Sequence, residues 1–562
     1  MRKKSVFLLT LFFLFIAIFY FIRAEAETGA KPKDVDLKTC YGCHSDIEKF
    51  HAKGKHAKVN CVNCHGELEG HMKDPSQKPV TLTGLEVCGA CHKDQYESFT
   101  SMNLQSKARV EKATFRSRSP MFDKLSMPHG FTKEHDEPRS HVFALVDHLV
   151  VDRAYGGRFQ MKDWTQVTNA KGAAKGVWEV VVDTKPDTNE HKAFITQSAA
   201  AANPVCLNCK TQDHILQWKY MGEKDPRAKW DRTSNVVEFA RSLSHPLNCF
   251  MCHDPHSAQY RVVRDGLINA VVDRNLGTYP YDPEKSKKTT IEKVMFRDFR
   301  AIGLLNRPDS NLMCAQCHVE YNCNPGIDLA TGEKIGMADP RTNLFPWVNV
   351  LDYHKKMTED VKFKDFKHTT TGAALNKLQH PETETFWMSK HERAGVECKD
   401  CHMPKMKKGA KTYTWHGQRS ARYMIKDTCI RCHPGWDEKE AEYQVDAIQN
   451  YIRGKITKAE FWLGQLIDAY AAGKSAGVPE ETLKSAREAH DRAHILWEWW
   501  TAENSDGFHN PQLARESLTR SITESQNAVD ALKKAIEEKR AGVPAPAAPE
   551  TPIPGTPGLT PK

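Results

Sequence analysis

Apolar and polar positions divide the chain into regions with different predicted structures. Residues 6–22 are almost continuously apolar, whereas the segments that follow are short and largely polar. Two stretches, 142–151 and 177–182, are rich in β-branched and aromatic residues, which predicts extended structure. From residue 437 onward the apolar positions recur with helical spacing. The pattern therefore predicts few strands and a strongly helical C-terminal part.

Three long helices are predicted in that C-terminal part. The first covers 441–470, the second covers 480–500 after Pro479, and the third follows Pro511. In the third, apolar residues recur at near-heptad spacing: Leu518, Ile522, Val529, Leu532 and Ile536. This stripe suits an intramolecular core or a subunit contact, and the sequence leaves both open. Residues 542–562 are rich in Pro, Ala and Thr, which predicts a disordered tail.

The apolar run near the N-terminus predicts export. Basic residues at 2–4 precede it, and Ala24-Glu25-Ala26 fits a small-x-small cleavage site. We favour a signal peptide over 1–26, with cleavage after Ala26. A run of about 17 residues could also just span a bilayer, so a retained membrane anchor is the alternative. Both interpretations place the body outside the cytoplasm, as a periplasmic or secreted protein.

The cysteines change this picture most. Of the 17 cysteines, all but Cys323 fall in Cys-x-x-Cys pairs. The pairs are Cys40/Cys43, Cys61/Cys64, Cys88/Cys91, Cys206/Cys209, Cys249/Cys252, Cys314/Cys317, Cys398/Cys401 and Cys429/Cys432. In seven of them a histidine follows directly: His44, His65, His92, His253, His318, His402 and His433. This spacing is typical of c-type haem attachment, in which two thiols bond the porphyrin and the imidazole ligates the iron. A zinc site, a redox pair or a disulfide would explain one pair, but not seven with a histidine each.

The eighth pair has a lysine in place of the histidine, in Cys206-Leu207-Asn208-Cys209-Lys210. A lysine ligates iron only as the neutral amine, so the metal and burial must lower its pKa. The sequence therefore predicts eight haem c groups. The 26 histidines suffice for a second ligand on each histidine-type haem. The formal charge of +9 omits haem propionates, and the basic residues are dispersed, so we expect no nucleic-acid partner.

The spacing of the motifs predicts the domain organisation. We expect an N-terminal tri-haem domain over 27–135, a penta-haem domain over 136–435 and long helices over 436–541. The predicted fold class is mainly α. Short helices and loops would pack on the haems, with few short strands and long C-terminal helices.

One Cys-x-x-Cys-Lys motif followed by four Cys-x-x-Cys-His motifs resembles the pentahaem cytochrome c nitrite reductases. With three more motifs on its N-terminal side, the chain is similar to the octahaem cytochrome c nitrite reductases. The resemblance implies that the Lys210 haem is catalytic and that the other seven carry electrons. It also implies reduction of nitrite to ammonium, and activity on hydroxylamine and sulfite.

Local segments carry the resemblance further and imply the catalytic residues. Cys314-Ala315-Gln316-Cys317-His318-Val319-Glu320-Tyr321 resembles the family segment with the active-site tyrosine. Lys377-Leu378-Gln379-His380-Pro381-Glu382 resembles the segment with the active-site histidine. Ser140-His141-Val142-Phe143-Ala144, followed by Arg153, resembles the segment that ends in the substrate-binding arginine. The implied catalytic residues are Arg153, Lys210, Tyr321 and His380. A guanidinium suits nitrite oxygens, an imidazole can donate protons and a phenol can donate a hydrogen bond.

Two further features follow from the resemblance. In the family, the side chains matching Glu320 and Gln379, with the carbonyls matching Tyr321 and Lys377, bind calcium, and such oxygen ligands suit that ion. The spacing from Tyr321 to Cys323 matches octahaem enzymes in which a thioether joins the tyrosine to the cysteine. We therefore expect a calcium ion and a Tyr321–Cys323 cross-link.

By family position, distal haem ligands can be assigned in the penta-haem domain. His141 should face the haem of His318, His416 that of His253, His391 that of His433 and His509 that of His402. Gly507-Phe508-His509-Asn510-Pro511 resembles a haem-ligating segment of the family. For the tri-haem domain the candidates are His51, His56, His71, His129 and His256, which the sequence does not pair.

Other functions remain open at this point. A relative that oxidises hydroxylamine would use histidine where this chain has Lys210. A tetrathionate-reducing octahaem cytochrome shares the lysine-type motif, and a non-catalytic electron conduit would have two strong ligands on every iron. We expect an electron-donating cytochrome or quinol-linked donor as partner. The resemblance also implies a homo-oligomer, trimer-based in the octahaem enzymes.

Overall fold

The structure is a computed structural model that describes residues 33–101, 121–127, 140–146, 159–161, 181–183, 203–296 and 298–542. The predicted signal peptide (1–26), Arg153, His129 and most of the predicted tail lie outside the described residues. Within the described part of the chain, no helix combines the length and the apolar character needed to cross a membrane.

Short helices dominate up to residue 435, and long helices follow. The α-helices, labelled α1 to α20 in chain order, are Leu37–Tyr41, Ser45–His51, Leu68–Lys73, Leu85–Gly89, Lys93–Phe99, Phe122–Ser126, Pro204–Leu207, Asp213–Gln217, Val236–Ser242, Asp265–Ile268, Pro283–Lys288, Ser310–Cys314, Val350–Lys355, Glu382–Phe386, Lys390–Arg393, Cys398–His402, Cys429–Cys432, Glu438–Ser475, Glu480–Ala502 and Pro511–Ala541. Single turns of 3-10 or π geometry are Cys61–Asn63, His141–Phe143, Tyr220–Gly222, Cys249–Met251, Asn269–Asp273, Pro340–Asn343, Lys356–Asp360 and Ala421–Met424. The predicted mainly α fold class is confirmed.

The strands are short and pair antiparallel. Labelled β1 to β14, they are His65–Gly66, Val80–Thr81, Phe159–Met161, Val181–Asp183, Arg261–Val262, Ile291–Phe296, Arg300–Leu305, Gly326–Asp328, Lys334–Ile335, Phe363–Lys364, Phe366–Lys367, Ala374–Leu375, Lys405–Lys408 and Lys411–Thr414. The sheet orders are β1-β2, β3-β4, β5-β7-β6, β10-β8-β9, β11-β12 and β13-β14. In the longest hairpin Ile291 lies opposite Leu305 and Phe296 opposite Arg300.

The three long C-terminal helices begin and end where local chemistry predicts. The side chain of Asp437 accepts a hydrogen bond from the first turn of α18, and that of Asn510 does the same for α20. Helix α19 starts directly after Pro479. The near-heptad stripe of α20 is buried within the chain itself, in clusters shared with α18 and α19. The stripe therefore packs in the intramolecular core rather than in a subunit contact.

Indole rings of α19 connect the helices to the rest of the core. Trp497, Trp499 and Trp500 are fully buried. Trp499 Nε1 donates to Thr385 Oγ1 at 2.8 Å, and Trp500 Nε1 donates to Ser517 Oγ at 2.7 Å. Because Thr385 lies in α14, close after His380 in sequence, the long helices fix the position of that segment.

The predicted strand over 142–151 is wrong for its described part. Residues 141–143 form a 3-10 turn that continues helically to 146. Val142, Phe143, Leu145 and Val146 are all buried, so their apolar run reflects burial on every side. Such a run does not distinguish a buried helical turn from a strand. For the segment 177–182, the described end lies in β4, which pairs with β3 as expected for an extended segment.

The chain separates into two compact units. One comprises residues up to Cys91 together with Asp254–Gln259, and the other comprises His92–His253 and the residues from Tyr260 onward. The boundaries at 135/136 and 435/436 stay predictions.

Candidate active site and haem-ligand pairs

Four of the histidine-type motifs fold as one tight turn that brings two thiols and an imidazole together. The backbone N–H of the motif histidine donates to the carbonyl of the first cysteine in His44 (2.9 Å), His253 (3.1 Å), His318 (3.0 Å) and His433 (2.9 Å). In the lysine-type motif, the N–H of Lys210 donates instead to the carbonyl of Leu207 at 2.9 Å. Asn203 caps the start of this turn through Val205 N at 3.0 Å. The turns of these five motifs suit the predicted haem attachment.

Five motif histidines each face a second histidine ring, at one characteristic separation. The ring centres are 6.0 Å apart in His44/His71, 6.0 Å in His141/His318, 6.5 Å in His253/His416, 6.4 Å in His391/His433 and 6.3 Å in His402/His509. Metal–imidazole bonds are about 2 Å long, so two imidazoles on opposite sides of one iron have centres about 6 Å apart. Four of these pairs are the ones that the resemblance implied. The fifth brings His71, one of the unpaired candidates, opposite His44.

Hydrogen bonds fix one ring nitrogen in several of these histidines. His71 Nδ1 donates to Gln77 O (2.7 Å), His402 Nδ1 to Arg419 O (2.9 Å) and His416 Nδ1 to Thr414 O (2.7 Å). A carbonyl partner at Nδ1 leaves Nε2 as the lone-pair nitrogen, which is the usual arrangement of a metal-ligating histidine. The pKa of the His402 imidazole is lowered to about 4, mainly by burial and secondly by the nearby His509. The His402 ring is thus neutral at physiological pH.

The other N-terminal candidates differ from one another. Both ring nitrogens of His51 have partners: Tyr41 Oη lies 2.5 Å from Nδ1 and Val59 O lies 3.0 Å from Nε2. That conformation leaves no nitrogen for an iron. His56 Nδ1 donates to Pro255 O at 2.8 Å, in the same manner as the paired histidines. His256 remains a candidate, and the distal ligands of His65 and His92 stay predictions.

The lysine-type motif contacts the Tyr321 segment, although the two are far apart in sequence. Cys206 Sγ lies 3.6 Å from Cys323 Sγ, and Cys209 Sγ lies 3.8 Å from Gln316 O. Tyr321 is buried, and burial raises the pKa of its phenol well above the usual value, with further contributions from Cys323, Cys209 and Cys206. Lys210 is also close to His141. Burial, then the nearby His318 and then the charge of Lys210 lower the pKa of His141 to about 3. The structure thus places the lysine-type motif beside the tyrosine segment.

Arg264 is a buried residue near Tyr321 that the sequence did not single out. Its Cζ lies 5.7 Å from the centre of the Tyr321 ring, and its Nη1 donates to Asp265 Oδ1 at 2.7 Å. Two further donors, Nε and Nη2, are buried without a hydrogen-bond partner among the described residues. A hydrogen bond with Cys317 lowers the pKa of the Cys209 thiol against the effect of burial, and the charge of Arg264 lowers it further. Unsatisfied cationic donors next to a haem-attachment cysteine fit a carboxylate such as a haem propionate.

The predicted calcium ligands lie at a group of buried carboxylates. Glu320 Oε2 accepts from Gln379 N at 2.7 Å, and Glu320 N donates to Glu384 Oε1 at 3.1 Å. Burial raises the pKa of both Glu320 and Glu384 well above the usual value. A cation here would compensate these charges, which suits the predicted ion. Among the described residues no group of three His, Cys, Asp or Glu side chains forms a metal site. The predicted set is of another type, with one Glu, one Gln and two carbonyls.

Cys323 is fully buried beside the same segments. Its Sγ lies 3.6 Å from Cys206 Sγ, and Gln379 Nε2 lies 3.2 Å from it. Asn203 Nδ2 donates to the Cys323 carbonyl. The seventeenth cysteine is therefore held next to the lysine-type motif and within the apolar cluster that contains Tyr321.

His380 follows Gln379 and is partly exposed. Its carbonyl accepts from Glu382 N at 2.9 Å, which starts helix α14. The contact of Gln379 N with Glu320 therefore holds the histidine segment next to the tyrosine segment. Of the four predicted catalytic residues, the structure brings Lys210, Tyr321 and His380 into connected segments. Arg153 lies outside the described residues.

Comparisons with known proteins agree with this arrangement. Residues 173–553 match the family described as cytochrome c552. The cytochrome c nitrite reductase subunit NrfA of Nitratidesulfovibrio vulgaris strain Hildenborough is 25% identical over 480 residues, which cover 79% of this chain and 74% of that protein. Cytochrome c-552 of Parabacteroides distasonis is 22% identical over 493 residues, covering 84% and 81%. A solved structure of cytochrome c nitrite reductase from Desulfovibrio desulfuricans ATCC 27774 shares the fold, with a TM-score of 0.50, 22% identity and coverage of 78% and 87%.

Proposed function

The chain belongs to the cytochrome c552 family, and from this premise we propose that it reduces nitrite to ammonium at a haem held by Cys206, Cys209 and Lys210. The resemblance noted in the sequence is confirmed at the level of this family. The reaction takes six electrons, which seven further haems with histidine ligands would deliver. It would take place in the periplasm. The haem iron supplies the binding site for nitrite and the electrons.

The observation that carries the proposal is the difference between Lys210 and the motif histidines. Four of the seven motif histidines in this chain face a second histidine in the penta-haem part, as expected for electron carriers. Lys210 instead adjoins the segment of Tyr321, which the family resemblance implicates in catalysis. One haem is therefore set apart from the others.

The surrounding residues have roles that follow from their chemistry. The phenol of Tyr321 stays protonated because burial raises its pKa, so it can donate a hydrogen bond to a bound oxygen atom. His380 can transfer protons as N–O bonds break. Arg153 would bind the nitrite anion through its paired N–H groups. A calcium ion bound by Glu320, Gln379 and the carbonyls of Tyr321 and Lys377 would hold Tyr321 and His380 in place.

The test is nitrite consumption driven by reduced methyl viologen, with ammonium quantified as the product. We expect ammonium from the wild type, and a rate at least about tenfold lower for Lys210→His, equivalent to about 1.4 kcal/mol in the barrier. Lys484→His, an exposed position on α19, is the matched control and should leave the rate unchanged. Haem content per chain is measured in all three proteins.

The outcomes separate the candidate functions. A wild type that forms no ammonium contradicts the proposal. A protein whose spectrum is purely low-spin and does not respond to nitrite would instead be an electron conduit. A high-spin ferric signal that changes when nitrite is added supports an open iron position at the Lys210 haem.

A further inference from the structure

A basic β-hairpin, β13–β14 with its turn, lies outside the proposed catalytic site. Between residues 405 and 414 the chain has Lys405, Lys407, Lys408 and Lys411 and no acidic residue. All four lysines are exposed. Lys405 and Lys407 are two positions apart on β13, so their side chains point to the same face of the hairpin, above Thr414 and Thr412 of β14.

The hairpin joins two haem-ligand segments. It starts three residues after His402 and ends two residues before His416. Trp415 N donates to Pro404 O at 3.0 Å, which closes the base of the hairpin. The last residue of β14, Thr414, accepts the hydrogen bond that fixes His416 Nδ1. The backbone of the hairpin is thus part of the support of a haem ligand.

A third haem segment contacts the same hairpin. Helix α5, which starts directly after His92, contributes Asp94, whose Oδ1 lies 2.6 Å from Lys408 Nζ. Glu97 Oε2 lies 3.3 Å from the same nitrogen. On the same helix, Ser98 Oγ accepts from His416 N at 3.0 Å. Lys408 is therefore neutralised and structural. Lys405 and Lys407 are exposed on the other face of the hairpin, and Lys411, the cross-strand partner of Lys408, is exposed at the turn. These three charges lie where three haem segments meet.

We infer that the exposed lysines around the turn of this hairpin, Lys405 and Lys407 on one face and Lys411 on the other, form a docking surface for an electron-donating protein with an acidic surface around its redox centre. The inference rests on the proposed function for the presence of the haems, and it specifies the partner. Complementary charge steers a transient partner and raises its association rate, and redox encounters typically use small interfaces. One electron would pass from the donor to one ferric haem next to the hairpin, which becomes ferrous.

The test measures haem reduction, not nitrite turnover, in the holoprotein. The probe is flavodoxin hydroquinone, an acidic donor that is oxidised to the semiquinone as one haem iron is reduced. The docking variant carries Lys405→Glu, Lys407→Glu and Lys411→Glu. The matched control carries Lys484→Glu, Lys533→Glu and Lys539→Glu, exposed positions on α19 and α20 with the same change in net charge.

Stopped-flow spectroscopy gives the second-order rate constant at low and high ionic strength. At about 10 mM salt, where charges interact over about 30 Å, we expect the docking variant to be at least about tenfold slower than the wild type. The control should stay within about twofold. At about 0.5 M salt the difference should largely disappear because the charges are screened.

Three results would overturn the inference: a wild-type rate that is independent of salt, a docking variant as fast as the wild type, or equal losses in both variants. The last result would mean that only net charge matters. The neutral set Lys405→Gln, Lys407→Gln and Lys411→Gln should give a smaller loss in the same direction. Reduction of each protein by methyl viologen serves as the control that its haems are intact. The haem reduction rates do not depend on ammonium formation. They can therefore be interpreted even if the protein does not reduce nitrite.

Discussion

Lys364 is a buried cation with one buried carboxylate partner. Its Nζ lies 2.7 and 2.6 Å from the two carboxylate oxygens of Asp491, and His354 Nε2 lies 3.0 Å from one of them. Burial alone would raise the pKa of Asp491. The charge of Lys364 and the hydrogen bond from His354 outweigh burial, and the pKa of Asp491 is lowered.

Replacing this carboxylate should therefore cost stability in a pH-dependent manner. Asp491→Asn leaves Lys364 buried without a counter-charge, which typically costs about 3–5 kcal/mol. Because the pKa of Asp491 is lower in the folded state, its contribution is fully present above the unfolded value of about 3.9 and is lost as the pH falls through the folded value. Thermal unfolding followed by circular dichroism should show a large difference from wild type at pH 7 that shrinks below pH 4.

The control for that variant is an exposed ion pair that joins the same helix, α19, to α20. Arg492 and Glu524 form an ion pair whose side chains are 41% and 37% exposed. Glu524→Gln should therefore cost less than about 1 kcal/mol at any pH. A loss of stability for Asp491→Asn no larger than that of the control would contradict the role of the buried pair.

The predicted link between Tyr321 and Cys323 can be tested by thiol alkylation. Cys323 should resist iodoacetamide in the denatured holoprotein, because its sulfur would be bonded to the tyrosine ring. In Tyr321→Phe the same cysteine should be alkylated, as peptide mass spectrometry would show. Full alkylation of Cys323 in the wild type would exclude the cross-link.

Residues with a fixed spacing in sequence were the ones that could be predicted. The Cys-x-x-Cys motifs and Lys210 are recognisable because haem attachment needs neighbouring residues on one turn. Arg264 could not be recognised, because no motif or spacing distinguishes it from other arginines such as the nearby Arg261. Its position beside Tyr321 and Cys209 arises only from tertiary contacts. The pairing of His71 with His44 was hidden for the same reason.

Among the elements, the long helices were predictable and the buried turn at 141–146 was not. Helices α18 to α20 have polar and apolar faces, and each starts with a capping residue, a proline or both, so their sequence carries the helical period. The turn at 141–146 is buried on all sides and carries no period. Its structure is set by the surrounding core rather than by its own pattern.

The turn between α19 and α20 supports a haem ligand and is sensitive to volume. Gly507 has φ +82°, and a Cβ there would lie 2.7 Å from Ile452 Cγ2. Gly507→Ala should therefore displace the segment that leads to His509, which faces His402. We expect lower thermal stability and partial high-spin character of one haem in electron paramagnetic resonance.

Gly477, between α18 and α19, provides the comparison. Its φ is +70°, but a Cβ there would meet no atom within 4 Å. Gly477→Ala should cost only the backbone strain of a positive φ, about 1–2 kcal/mol, with unchanged haem spectra. If Gly507→Ala also leaves the haem spectra unchanged, the turn does not control the ligand.

At the scale of the whole molecule, the two compact units differ in their apolar cores. In the described part of the smaller unit, the buried apolar side chains are Val62 and Leu85. The larger unit contains two extensive apolar clusters. A unit with so little buried apolar surface needs additional cross-links or cofactors to stay folded.

Removing one haem attachment should therefore affect the two units unequally. In the variant with Cys40→Ala and Cys43→Ala, hydrogen exchange of residues 33–91 should accelerate at least about tenfold across the segment. In the variant with Cys429→Ala and Cys432→Ala, the change should stay local, because long helices pack nearby. Equal, local effects in both variants would contradict a haem-dependent core in the smaller unit.

The five histidine pairs also have a consequence for how the chain folds. His141 and His318 are roughly 180 residues apart and His402 and His509 roughly 110, so an iron between each pair would close a long loop, as a disulfide does. Closing such loops removes conformational freedom from the unfolded chain, but it is also slow, because distant segments must first meet. Maturation would then proceed in a fixed sequence. Each motif would bind its haem before the distant histidine is in place.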